Sequence, residues 1–128
     1  MISGGNEMGA EITIKVKHND DGALVEECEY LGDKMHGKRT IWHPSGKKIS
    51  ETNFADGVMQ GQHTSWYLSG NLALTASVVD GNYHGLFTAY WPNGQKREEG
   101  TLVQGERVGI FKSWSDNGNL LAEKNHDD

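Results

Sequence analysis

The sequence predicts an all-β fold, an elongated antiparallel sheet built from tandem β-hairpins, one per 24 residues. Three phased series carry that expectation. Gly22, Gly46, Gly70, Gly94 and Gly118 recur every 24 residues, and so do Gly37, Gly61, Gly85 and Gly109 and the aromatic series Trp42, Trp66, Tyr90 and Trp114. A period of this size marks a repeat architecture whose single units cannot bury their apolar faces alone.

Residues 1–10 are small and polar and are expected to form a flexible tail. They lack the basic start and apolar run of a signal peptide, so a cytoplasmic location is expected. The repeat domain is expected over 11–125, with a partial unit at 11–29 ahead of full units at 30–53, 54–77, 78–101 and 102–125, and a short tail at 126–128. In each full unit a run rich in Thr, Ile and aromatics follows the second glycine, at 38–43, 62–67, 86–91 and 110–115, and suits a first strand. Pro44-Ser45-Gly46, Leu68-Ser69-Gly70, Pro92-Asn93-Gly94 and Asp116-Asn117-Gly118 then reverse the chain, with glycine supplying positive φ. A second strand follows at about 47–54, 71–78 and 95–102, closed by Asp56-Gly57, Asp80-Gly81 and Gln104-Gly105. In the first unit the pair is inverted to Gly32-Asp33, which predicts a different turn. About nine or ten strands result.

Side chains alternate along a strand, so rows compared across units assign the faces. Tyr30, Phe54, Val78 and Leu102, with Cys28, Thr52, Ala76 and Gly100 two residues earlier, form an inward row. The intervening row, Glu27, Glu51, Thr75, Glu99 and Glu123, is expected to face water. Trp42, Trp66, Tyr90 and Trp114 are assigned to the core as structural residues, beside the turn glycines Gly46, Gly70, Gly94 and Gly118.

The unit Gly-x-x-x-x-Trp/Tyr-x-x-x-Gly, followed by a Glu-containing strand and Asp-Gly-x-x-x-Gly, resembles the MORN repeat in its bacterial variant. Gly61 to Gly70 with Trp66, Gly85 to Gly94 with Tyr90, and Gly109 to Gly118 with Trp114 carry the resemblance, which covers about residues 20–124. It implies a single-layer ribbon of successive hairpins. Many bacterial members resemble antitoxin or immunity components of toxin systems; others resemble scaffolds or membrane-associated proteins. The chain departs from the pattern in the Gly32-Asp33 inversion and in Arg39 and His63, which stand where Phe87 and Phe111 supply the early aromatic of the first strand. The N-terminal half is therefore expected to be looser or more exposed.

Chemistry-bearing constellations are sparse. Cys28 is the only cysteine, and its repeat slot holds Thr52, Ala76, Gly100 and Lys124, so a packed thiol is expected over a nucleophile. His36 and His84 share a slot two units apart, roughly 19 Å at four strand spacings, beyond one coordination sphere. Ser45 and Ser69 lack a nucleophile elbow. The pairs Glu26-Glu27 and Glu98-Glu99 point to opposite faces and cannot act on one substrate. No enzyme activity, metal or cofactor is expected.

A net charge of −6 counts against nucleic acid and anionic membranes, which need a cationic surface. The expected partner is a protein, and the antitoxin resemblance suggests a basic toxin domain, met through an acidic surface including Glu27, Glu51 and Glu99 or through an exposed patch of Tyr67, Phe87 and Trp91. The alternative is a scaffold or self-assembling protein that pairs through open sheet edges; lipid binding, suggested by the repeat type alone, is a third.

Overall fold

The computed structural model describes residues 11–127, and these form one antiparallel sheet of ten strands in sequence order. The strands are β1 (Ile12–His18), β2 (Leu24–Leu31), β3 (Lys34–Trp42), β4 (Lys48–Ala55), β5 (Val58–Trp66), β6 (Leu72–Val79), β7 (Asn82–Tyr90), β8 (Lys96–Val103), β9 (Glu106–Trp114) and β10 (Leu120–Asn125). Each pairs only with its sequence neighbours, so the sheet is a meander. No helix occurs among the described residues. The tail expected at 1–10 lies outside them.

Two turn types alternate. Asp56-Gly57, Asp80-Gly81 and Gln104-Gly105 have positive φ at both residues, 51° and 85°, 52° and 87°, 51° and 84°, the type I′ signature whose twist matches that of the flanking strands. At Gly32-Asp33 only Gly32 is positive, at 65°, as in a type II′ turn, which requires glycine first. This accounts for the inverted order. On the other side of the sheet, His43 N–H donates to the Lys47 carbonyl and Gly46 N–H to the His43 carbonyl, both at 2.8 Å, and the same pair of bonds recurs around Gly22, Gly70, Gly94 and Gly118. That is a type I turn followed by a left-handed glycine and a bulge. The register slips accordingly: Trp42 faces Lys48 but Ile41 faces Ser50, leaving Ile49 as the extra residue.

The second glycine series is not placed ahead of the first strands, as the sequence suggested, but inside them. Gly37, Gly61, Gly85 and Gly109 have φ from 61° to 112° within β3, β5, β7 and β9. Each marks a register shift against the preceding strand, between Cys28 and Tyr30 or Thr52 and Phe54 for example. A bulge bends and twists its strand, so a strand of nine residues continues through each glycine.

With no second layer among the described residues, apolar burial is concentrated on one face. Cross-strand pairing sets Cys28 against Arg39, Thr52 against His63 and Ala76 against Phe87. Gly100 lies under Phe111, whose ring would clash with an added Cβ. Small residues on the even strands are therefore covered by large ones on the odd strands. Cys28 and Ala76 are 1% exposed and Thr52 7%. Val78, Leu102, Phe111 and Ala89 complete this packed face. The expected inward rows are thus inward, and the N-terminal half is not looser at this row: Arg39 stands over Cys28, fixed by Glu26 at 3.1 Å. Residues 126 and 127 turn back on β9, with His126 N–H donating to the Gly109 carbonyl at 2.8 Å, Gly109 N–H donating to Asp127 Oδ1 at 2.9 Å, and the His126 ring edge-on to Phe111.

Gly94 has φ of 94° and open space around its missing side chain, so substitution there is opposed by backbone conformation alone. Gly94→Val is expected to cost about 1–2 kcal/mol and Gly94→Asn clearly less, because asparagine tolerates the left-handed region. Denaturant melts check this, and equal losses would contradict it.

Candidate functional site, an aromatic ladder on one sheet face

The face opposite the packed row is set by the register chain Glu27, Thr40, Glu51, Thr64, Thr75, Thr88, Glu99 and Lys112. Trp42, Trp66, Tyr90 and Trp114 lie two residues beyond Thr40, Thr64, Thr88 and Lys112 and so share this face with the carboxylates. Lys48 demonstrates it directly, standing 5.4 Å over the Trp66 ring while its Nζ donates to Glu51 at 2.9 Å. The assignment of these aromatics to the core is therefore corrected. All four are half-buried, and none belongs to the packed core. The physical reason is the bulge after each glycine turn, which fixes which second-strand residue faces which first-strand residue.

The aromatics form a ladder in which successive rungs lie two strands apart, roughly 10 Å. Beside the rungs the surface is notched. One notch is lined by Leu24, Trp42, Pro44 and Gly46, a second by Lys47, Lys48, Trp66, Tyr67 and Gly70, and another by Gln95, Lys96, Trp114 and Gly118. The residue opposite the rung alternates: Leu24, Lys48, Leu72, Lys96 and Leu120 face His18, Trp42, Trp66, Tyr90 and Trp114 in turn. Leucine and lysine therefore alternate along the ladder.

The carboxylate row is less acidic in effect than the sequence suggested. Glu51 pairs with Lys48 at 2.9 Å and Lys38 at 3.8 Å, and Glu99 pairs with Lys96 at 3.0 Å. The Lys48 hydrogen bond holds the Glu51 carboxyl below the usual carboxylate range, against the opposing effect of burial. Glu27 shares a depression with Glu29, Lys38, Thr40, Trp42, Lys48 and Glu51. The six acidic residues clustered over 20–33 do not form one surface. Asp20, Asp21 and Asp33 lie in turns, Glu27 and Glu29 are on the ladder face, and Glu26 is on the packed face beside Lys17 and Arg39. The Arg39 hydrogen bond holds Glu26 below the usual range in spite of its burial.

Tyr67, Phe87 and Trp91 do not come together as one exposed patch. Tyr67 OH donates to the Tyr90 carbonyl at 2.7 Å, and Trp91 Nε1 donates to the Trp114 carbonyl at 2.9 Å. Each ties one hairpin to the next rung. Phe87 lies on the packed face against Tyr83. All three are half-buried.

The histidines have separate roles. His36 and His84 Nδ1 accept from the turn amides of Asp56 and Gln104, at 3.2 and 3.3 Å. Among the described residues no group of three His, Cys, Asp or Glu is arranged to hold a metal ion. Burial pushes the Cys28 thiol up, away from the thiolate a nucleophile needs. The sequence set His63 in the slot of Phe87 and Phe111 without giving it a role; it fills a packed-face slot, touches Thr52 Oγ1 at 2.6 Å and lies beside the Tyr83 ring. The signal was its alignment with Phe87 and Phe111.

The MORN repeat variant family model matches residues 35–56, 83–104 and 107–128. The chain belongs to the MORN repeat variant family. The intervening unit at 59–80 keeps the same hairpin, bulge and turns, so the MORN architecture is continuous through it. Among the described residues of this MORN repeat chain no helix is long and apolar enough to cross a membrane. No curated protein matches the chain.

Burial pushes the His63 pKa below the ordinary 6.5. The unfolded chain then takes up this proton first, so His63 contributes stability that is complete above 6.5 and lost as pH falls toward the lower folded value. The melting temperature is expected to drop as pH falls below 6.5, before the carboxylates titrate, and His63→Phe is expected to flatten that drop. A drop of unchanged size in the variant would contradict the assignment.

Proposed function

We propose that this chain is a non-catalytic protein-binding module that receives its partner along the ladder face. The observation that carries the reading is the recurrence of half-buried aromatic notches on a single face, each beside an apolar or lysine side chain. Half-exposed aromatics in shaped depressions are the usual anchors of protein interfaces. The lysine–glutamate pairs would form a polar rim that fixes register more than affinity. A partner matching this face carries apolar side chains at intervals near the rung spacing, flanked by charges of both signs. The net charge of −6 favours approach by a basic partner at long range.

The specific form suggested by the resemblance to bacterial antitoxin and immunity components is neutralisation of a cognate toxin by occlusion of its surface, in the cytoplasm. Co-expression with the neighbouring reading frame tests it. The expected result is a stoichiometric complex and rescued growth, with both lost in Trp42→Leu/Trp66→Leu although its thermal melt stays cooperative. Neither complex nor rescue with the unaltered chain would overturn the toxin reading. Binding unaffected by the two ladder substitutions would overturn the choice of face. Glu51→Gln/Glu99→Gln is expected to slow association and weaken its salt dependence, because charges at an interface rim act mainly on the on-rate, while stability changes by less than about 1 kcal/mol.

A further inference from the structure

The outer edge of β1 is unlike the rest of the sheet. Its side chains alternate cleanly, with Ile12, Ile14 and Val16 on the ladder face at 51%, 56% and 49% exposure. Thr13, Lys15 and Lys17 lie on the packed face, and Glu11 continues that row. Among the described residues no strand pairs with this edge. An edge strand of this length with an apolar row is a template for further pairing unless something blocks it.

We propose that β1 pairs antiparallel with β1 of a second copy, about a two-fold axis at Ile14, to give a closed dimer with one continuous sheet. This inference does not depend on the hetero-partner proposed above. The two-fold requires a residue to face itself, and residues directly opposed share a face. Centred on Ile14, the pairing sets Ile12 against Val16, Thr13 against Lys15 and Lys17 against Glu11. The apolar row is then continuous across the axis, and each copy contributes one Glu11–Lys17 pair. Shifting the axis to Lys15 would oppose the two Lys15 ammonium groups, a destabilising arrangement for directly opposed like charges. Lys15 is also held 4.3 Å from the Tyr30 ring in its own copy, which leaves the small Thr13 to face it.

The opposite edge argues for closure rather than a filament. Continuing the meander from β10 of one copy into β1 of the next would set Lys124 against Lys15, because both occupy the row of Cys28, Ala76 and Phe111. Pairing of β10 with itself about Ala122 would put Leu121 opposite Glu123. Neither arrangement is complementary. A seven-residue edge is small for an interface, so a weak, concentration-dependent dimer is expected.

The test uses the full chain with Cys28→Ala as background, which removes the native thiol from a packed slot. Ile14→Cys is compared with Thr13→Cys under mild oxidation, alongside sedimentation over a wide concentration range. Directly opposed residues have Cα atoms about 4.5–5.5 Å apart, within the span of a disulfide. The expected result is a mass twice 14.1 kDa at high concentration, with covalent dimer from Ile14→Cys and little from Thr13→Cys. Glu11→Lys should shift the equilibrium toward monomer, and adding Lys17→Glu should restore the dimer. A monomer throughout, a ladder of larger species, or equal cross-linking at both positions would overturn the proposal.

Discussion

The sheet depends on one packing rule, in which a large side chain from each odd strand covers a small one on the even strand before it. A single layer has no facing sheet or helix to exclude water, so burial must come from lateral neighbours. Arg39 over Cys28, His63 over Thr52, Phe87 over Ala76 and Phe111 over Gly100 supply it. The smallest covered residues, Ala76 and Gly100, lie under the two phenylalanines, and a Cβ at Gly100 would run into the Phe111 ring. Where the cover is polar, it is engaged by a partner, Glu26 for Arg39 and Thr52 for His63. This follows the general rule that polar groups taken from water need hydrogen bonds.

The rule works only if the pairing never slips, since a one-residue slip would send every row to the other face. Two devices hold the register in each unit: a type I turn with a left-handed glycine on one side of the sheet, and a two-residue turn followed by a glycine bulge on the other. Tyr67 and Trp91 add bonds from one hairpin to the next. The glycine period is therefore a record of backbone constraint.

Much of the fold was legible for that reason. Phased glycines identify hairpins, and the inward row was assigned because Tyr30, Phe54, Val78 and Leu102 are apolar at every repeat. The site was harder. Hydrophobicity alone sends Trp42, Trp66, Tyr90 and Trp114 to the core, and only the turn and its bulge reveal that they share a face with Glu51 and Glu99. The same geometry converts a run of acidic residues in sequence into groups on two faces and in two sets of turns. His63 illustrates the limit from the other direction: a polar residue in an aromatic slot is a packing element once its neighbours are known.

The most direct test of the packing rule is a double-mutant cycle on Gly100→Ala and Phe111→Ala, read by denaturant unfolding. If Phe111 fills the space over Gly100, the alanine methyl should destabilise the wild-type background by about 1–3 kcal/mol, as overpacking does. It should be neutral or stabilising once the ring is removed, giving a coupling energy well outside the additivity expected of independent sites. The same free-energy change for Gly100→Ala in both backgrounds would show that the large side chain does not close the face.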